Sequence, residues 1–293
     1  MENKTDERIF VVGGTGNIGA TVLNDLVESG AQVTLYTRSP HKVVQKDSSS
    51  SSNTPTIVQG DYSDLTPLEK AIVGHTRLFL LVGDVPELKS VKIAISKKAY
   101  AAGVKQVVEI SAKALPWRKF RIIDEHLEAE QVIFAIPDRG AYVSLRPTNF
   151  MSNVLFHLDA LKGQPPLLID TAAADEPQEW ISPYDVAQVA VRILQEPIDK
   201  HGDAAYELVG EISTPSQRAA ILSTGLGRTI TFRQLPVQEL YDSLVNANFP
   251  HATAYFLASY QDVSPVTRGL PLLLGRKPET FETWVAKNKD RLQ

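Results

Sequence analysis

Three glycines at a spacing of three, Gly13, Gly16 and Gly19 in VVGGTGNIGA at 11–20, are where residue type and spacing most directly imply chemistry. Glycine lets another group come close to the backbone but weakens any helix or strand that holds it, so such a cluster points to a use. The apolar, β-branched run RIFVVG precedes it. NIGATVLNDLVESG follows, with Ile18, Val22, Leu23, Leu26 and Val27 at helical spacing up to Gly30. Strand, glycine turn and helix in that order leave unpaired N–H groups at the positive end of the helix dipole, which suits the pyrophosphate of a dinucleotide. Thr15, Asn17 and Ile18 belong to the same candidate cofactor site. The end of the second strand reports which dinucleotide is meant. A carboxylate there holds a ribose 2′-hydroxyl and repels a 2′-phosphate. The stretch LYTRSPHK has no acid, and none follows before Lys46. Arg38 offers a planar fork for a phosphate, with Thr37, Ser39 and Lys42 as further donors, so the expected ligand is NADP(H). Asp61, in VQGDYSD, is placed either to meet the adenine edge or to cap its own turn.

Other chemistries find no footing. No G-x-S-x-G elbow supports a serine hydrolase, and the six histidines (41, 75, 126, 157, 201, 251) lie in no metal-ligand spacing, so no metal site is expected. One polar pair stands out. Wound at about 100° per residue, 119–136 gathers Arg121, Asp124, Glu125, Glu128 and Gln131 on one face and Ile122, Ile123, Leu127, Ile133 and Phe134 on the other. His126 and Glu130 fall in the middle of the apolar arc. A buried polar group left unpaired costs about 1–3 kcal/mol, so the two are expected to bond each other at i, i+4 or to meet polar partners beneath. Two roles stay open: a structural pair tying the helix to the sheet, or His126 at the cofactor cleft as proton donor or substrate contact, oriented by Glu130. Lys113, past a strand end in ISAK, is a second catalytic candidate beside the plainer role of a solvated loop lysine.

Elements able to position these residues alternate along the chain. Strand-like runs at 32–37, 55–61, 77–83, 106–111 and 142–147 are separated by helical ones, the rhythm of an α/β, Rossmann-like doubly wound parallel sheet. SSSSS at 48–52 reads as a loop insert. Beyond Pro147 the rhythm breaks: LDALKGQPPLLIDTAAADEP looks irregular, SPYDVAQVAVRILQEP is a helix with Asp185 in its first turn, and AAYELVG at 204–210 returns to the sheet. The expected division is a dinucleotide-binding domain over 1–150, rejoined by about 181–210, and a smaller, mostly helical substrate cap from 151–180 and 211–293. In that cap Tyr255, Phe256 and Tyr260 are expected to shape a pocket. The 293 residues and 43% apolar content support a filled core. A net charge of −4 without a basic run leaves no footprint for nucleic acid or a membrane surface. There are no cysteines. The start MENKTDER is polar and no apolar run approaches ~20 residues, so a cytoplasmic protein acting on a small organic substrate is expected.

Taken together, VVGGTGNIG, YTRSPHK, VQGDYSD, FLLVG, VVEISA, DEHLEAE, SLRPTNFMSNVL, WISPYDVAQVA and GRTITF resemble the NmrA-like atypical short-chain dehydrogenases/reductases over nearly the whole chain. DEHLEAE is similar to the quinone-oxidoreductase and triphenylmethane-reductase type, and LVGDVPE to fungal alkaloid-pathway reductases. The resemblance implies NADP(H) as hydride donor or, in regulatory members, as a sensed ligand. It adds Tyr62, Val82, Gly83 and Ser111 to the cofactor set and implies Pro147, Thr148, Asn149 and Phe150 as the lining of the nicotinamide. In the family the helix carrying His126 borders the active site. Reductases of the wider superfamily use Tyr and Lys four residues apart on one helix face. None of the nine tyrosines here has Lys at i+4. The reading is therefore an NADPH-dependent reductase passing hydride to a conjugated, aromatic or imine-type acceptor, possible in secondary metabolism, with position and desolvation outweighing acid–base chemistry. An NADP(H)-sensing regulator and a cofactor-scaffolded redox-neutral cyclase are the alternatives.

Overall fold

The computed structural model describes residues 7–43, 54–113, 120–259 and 265–293. The serine run and Tyr260 lie outside the described residues, and of Phe256 only the backbone is described. The first half of the chain alternates as its pattern predicts. β1 (Arg8–Val12), α1 (Asn17–Glu28), β2 (Gln32–Thr37), β3 (Thr56–Gln59), α2 (Thr66–Ala71), β4 (Arg77–Leu80), α3 (Leu88–Ala101), β5 (Gln106–Ile110), α4 (Arg121–Phe134) and β6 (Ala141–Pro147) follow one another. Then come β7 (Asn149–Phe150), α5 (Leu158–Lys162), β8 (Leu167–Asp170), β9 (Gln178–Ile181), α6 (Pro183–Gln195), α7 (Ile198–His201), β10 (Ala204–Leu208), β11 (Glu211–Ser213) and α8 (Pro215–Leu226). β12 (Thr231–Gln234), α9 (Val237–Asn246), α10 (His251–Ser259), α11 (Leu270–Leu274), α12 (Phe281–Lys287) and α13 (Lys289–Leu292) complete the chain.

One seven-stranded sheet runs β10-β6-β5-β4-β1-β2-β3. Every pairing from β3 across to β6 is parallel, with Val11 opposite Leu35 and Phe79, and Val108 opposite Phe79 and Val143. The reversal of strand order at β1, between β2 on one side and β4 on the other, is the topological switch point of a doubly wound sheet, where ligands of such folds bind. Strands covered on both faces read as continuous apolar runs. Accordingly Ile9, Phe10, Val11 and Val12 are all buried, as are Leu78, Phe79 and Leu80. α1 packs Ile18, Val22, Leu23 and Leu26 inward and ends where Gly30 takes φ +84°.

The chain divides into two compact units. The first holds β1 to β6 short of Pro147, most of α6, α7 and the start of β10; the second holds the remainder of the described residues. The core of the first runs from Phe10 through Leu78, Leu88, Ile95 and Val107 to Tyr142. The core of the second gathers Met151, Leu161, Leu168, Trp180, Leu222, Phe281, Trp284 and Leu292. Helices dominate the second unit, but it also carries two small sheets, β11-β9-β7 and β12-β8. The stretch that looked irregular contains α5 and β8, and β8 runs parallel to β12 with Leu168 opposite Phe232. Arg218 is buried there, over the Trp180 ring at 4.3 Å and on Asp170 at 2.8 Å, so its charge is matched within the unit. Among the described residues no helix is long and apolar enough to cross a membrane.

Candidate functional site

The glycine turn does three different things at its three positions. Gly13 has φ +86°, and a Cβ on it would lie 2.2 Å from the Leu81 carbonyl oxygen, so only glycine lets β1 end beside β4. A Cβ on Gly19 would lie 2.0 Å from the Gly13 oxygen, so glycine there seats α1 on the turn. A Cβ on Gly16 would meet no atom within 4 Å. Gly16 is the extended N-cap of α1 and no side chain caps the helix. The first-turn N–H groups of α1 therefore have no partner within their own helix and no acid beside them. An open, positive helix end of this kind suits an anion.

Within the first unit a cleft of about 290 Å³ opens over this turn, lined by Gly13, Thr15, Gly16, Tyr36, Thr37, Arg38, Gly60, Tyr62, Leu81 and Gly83. It sits at the carboxyl ends of β1, β2 and β4 and past the end of β3, on both sides of the switch point. Arg38 follows β2, is exposed, and has its guanidinium 5.8 Å from the Tyr62 ring centroid. Thr37 is buried and its hydroxyl accepts from the Ser39 amide at 3.1 Å, holding the turn that presents Arg38. Ser39 and Lys42 continue into a short helical turn over Pro40–Lys42 and are not among the lining residues.

Asp61 is not among the residues that line the cleft. Its Oδ1 accepts from the Ser63 amide at 2.8 Å and the Ser63 hydroxyl at 2.5 Å, and these bonds hold its pKa below the usual carboxylate range. Of its two expected roles, the turn cap is the one the geometry displays. Tyr36, Gly60 and Leu81 complete the lining and escaped the motif reading. Tyr36 donates to the Asp61 carbonyl at 2.6 Å, burial pushes its pKa up to about 12, and a Cβ on Gly60 would strike its ring. The signal for Tyr36 was its place at the carboxyl end of β2, two residues before Arg38.

His126 and Glu130 are both buried, at 7% and 5% exposure, but their bonds go in different directions and not to each other. His126 Nδ1 lies 2.5 Å from Lys92 Nζ, on α3. Lys92 is fully buried and also donates to Glu109 Oε1 and to the Ile110 carbonyl at 3.0 Å. Glu109 takes the Tyr142 hydroxyl on its other oxygen. Glu130 Oε1 receives the hydroxyls of Ser111 and of Ser144, the latter at 2.7 Å, while Arg146 bonds both oxygens, its Nε at 3.2 and 3.1 Å. Burial pushes Lys92 down and Glu109 up, and their mutual attraction opposes both shifts. Burial, reinforced by the Lys92 charge, holds the His126 pKa down at about 2. The expectation that Glu130 orients His126 is thus corrected. Lys92 is the partner, and the imidazole is neutral at physiological pH.

Ser111 gives its hydroxyl to Glu130, and the Val82 side chain lies in the core of the first unit, so neither side chain lines the cleft. Asn17 and Ile18 open α1, whose backbone amides border the cleft at Gly16. Lys113 stands three residues past β5, half-buried. Pro147 ends β6, and Asn149 and Phe150 form β7 opposite Trp180 and Ile181 in the second unit. Assigning Pro147, Thr148, Asn149 and Phe150 to the cofactor rests on the family resemblance alone. Lys92, Glu109, Ser144 and Arg146 went unread, although Glu109 in VVEIS and Ser144 and Arg146 in YVSLRP are polar residues inside otherwise apolar strands. Such residues signal a buried partner.

The NmrA-like family model matches residues 5–266. The chain belongs to the NmrA-like family. This NmrA-like chain is 29% identical over 291 residues to (4-alkanoyl-5-oxo-2,5-dihydrofuran-3-yl)methyl phosphate reductase of Streptomyces griseus, covering 96% of this chain and 98% of that one. It is 26% identical over 286 residues to the NAD(P)H azoreductase of Xenophilus azovorans, covering 93% and 95% of the two chains. Among solved structures, the Citrobacter sp. triphenylmethane reductase complexed with NADP(H) superposes with a TM-score of 0.77 at 22% identity, over 96% of this chain and 99% of that one. At that identity the match speaks for a shared NmrA-like fold.

Proposed function

We propose that the protein is an NADP(H)-dependent reductase of a small conjugated, aromatic or imine-type organic acceptor. The observation that carries this reading is the cleft at the switch point. Gly16 leaves open space over an uncapped helix end, and Arg38 is the charged residue among those that line it. These residues fit the cofactor. The first-turn amides of α1 would take the pyrophosphate, Arg38 the 2′-phosphate, and Tyr62 and Gly60 would border the adenosine end. Bound NADPH supplies a hydride. The chain's own share is to hold donor and acceptor in position, a contribution that can be large without any acid–base group. The reductase names of the two sequence relatives support the reaction class, and the likeness to fungal alkaloid-pathway reductases supports a place in secondary metabolism.

The test is NADPH oxidation by the purified protein with a panel of quinones, azo dyes and cyclic imines. Consumption of one NADPH for each two-electron reduction of the acceptor is the expected result. Tight NADPH binding without oxidation by any acceptor would overturn the reductase reading in favour of an NADP(H) sensor.

A further inference from the structure

We propose that Lys92 is a positioning residue that fixes His126 as a neutral imidazole with its proton on Nε2, and that His126 serves the reduction as a hydrogen-bond donor to the acceptor, not as the source of its proton. The second half rests on the reductase reading; the first stands on geometry alone.

An ammonium has three N–H donors and no acceptor. Among the described residues Lys92 bonds three acceptors: Glu109 Oε1, the Ile110 carbonyl oxygen and His126 Nδ1. All three donors are used, so Nδ1 must offer a lone pair, and a neutral imidazole then carries its hydrogen on Nε2. A second proton on the ring would have to sit between Nδ1 and an ammonium. The charged and titratable groups around the ring leave no route to imidazolium. Lys92 comes from α3, Glu109 from β5 and Tyr142 from β6 behind it. Glu130, the carboxylate one turn along α4, is turned away onto Ser111, Ser144 and Arg146. Among the described residues nothing bonds Nε2, so its hydrogen is available to a ligand.

Placement adds the second half. Lys92 grips the last carbonyl of β5, and Glu130 grips Ser111 just beyond it, so His126 is held at the carboxyl edge of the sheet, the edge at which ligands of this fold bind. On reduction the electron-poor carbon of the acceptor gains the hydride. Its π pair moves onto the conjugated oxygen or nitrogen, and that atom takes its proton from water. The Nε2–H shares the growing negative charge and stays on His126.

Proton–nitrogen correlation spectra of the full-length protein with isotope-labelled histidine, recorded without cofactor between about pH 5 and 8, test the first half. The resonance lost in His126→Gln is expected to show the neutral Nε2–H pattern throughout. The double variant Lys92→Met/Glu109→Gln, which buries no lone charge, is expected to release it into mixed tautomers or imidazolium. An imidazolium or Nδ1–H pattern in the wild type, or no change in the double variant, overturns the assignment. For the second half, menadione reduction is expected to be independent of histidine titration. It should fall within about tenfold in His126→Gln, which keeps an N–H, and by about 10²-fold in His126→Leu. Wild-type turnover in His126→Leu, or activity that follows a group near ~6.5, overturns the donor role. Absence of NADPH oxidation overturns it together with the reductase reading, while the spectra still decide the Lys92 assignment.

Discussion

On the proposed reading Arg38 carries the choice between the two dinucleotides. Among the described residues that line the cleft it alone bears charge, and the strand that presents it ends without a carboxylate. A charge-assisted bond to a phosphate is worth about 1.5–3 kcal/mol, at the low end for an exposed arginine. Arg38→Ala should therefore cost about tenfold in NADPH affinity and leave NADH affinity unchanged, read by titration; equal losses for both would remove Arg38 from the phosphate. His126 yields a second expectation. Its pKa is about 2 in the fold and ~6.5 unfolded, so between those values the unfolded chain binds the extra proton. Stability is then fully present above ~6.5 and falls as pH drops below it, by up to about 1.4 kcal/mol per pH unit. Burial lowers the pKa of His75 as well, which adds in the same direction. Urea midpoints at neutral and mildly acid pH should differ in the wild type and differ less in His126→Gln. Identical shifts in both would show that His126 contributes nothing. Periodicity alone announced that His126 and Glu130 are buried. It could not announce Lys92, because that partner lies 34 positions away on another helix and only the folded sheet brings the two together.

At the level of elements, the junction of β1 with α1 separates folding from binding, since neighbouring glycines answer to different constraints. A side chain at Gly19 collides with the Gly13 backbone, which cannot yield without opening the turn. Gly19→Ala should lower stability by about 1–3 kcal/mol or more. Gly16→Val meets open space in the protein and occupies the space a pyrophosphate needs, so the variant should unfold at the wild-type midpoint and fail to bind NADPH. Retained binding by a folded Gly16→Val protein would contradict the placement of the phosphates. These elements were legible because β1, β2, β4 and β5 are mostly apolar strands that alternate with helical runs, and α1 shows clear helical spacing. β8 and β12 were not. Each has four residues, and each exists as a strand because the other lies beside it, Leu167 opposite Thr231, a pairing no local pattern encodes. Much the same holds for β7, two residues long and defined by its pairing with β9.

For the whole molecule, a ligand that binds only the folded protein raises its stability by mass action, about 2.7 kcal/mol at a hundredfold excess over Kd. NADPH should raise the melting temperature and NADH at equal concentration should raise it less. Both units hold cores of their own, yet the cleft is made from the first unit alone, so this effect depends on the turns at the carboxyl ends of β1, β2 and β4. The family was legible from motifs strung along nearly the whole chain, and the family model spans 5–266. The acceptor was not, because a substrate pocket is a property of side chains that meet only after folding. The most direct test of the NADP(H) site is the affinity of the wild-type protein for NADPH against NADH, measured by calorimetric titration of the same preparation. NADPH is expected to bind tighter by about tenfold or more. Equal affinities, or a preference for NADH, would contradict a 2′-phosphate held by Arg38.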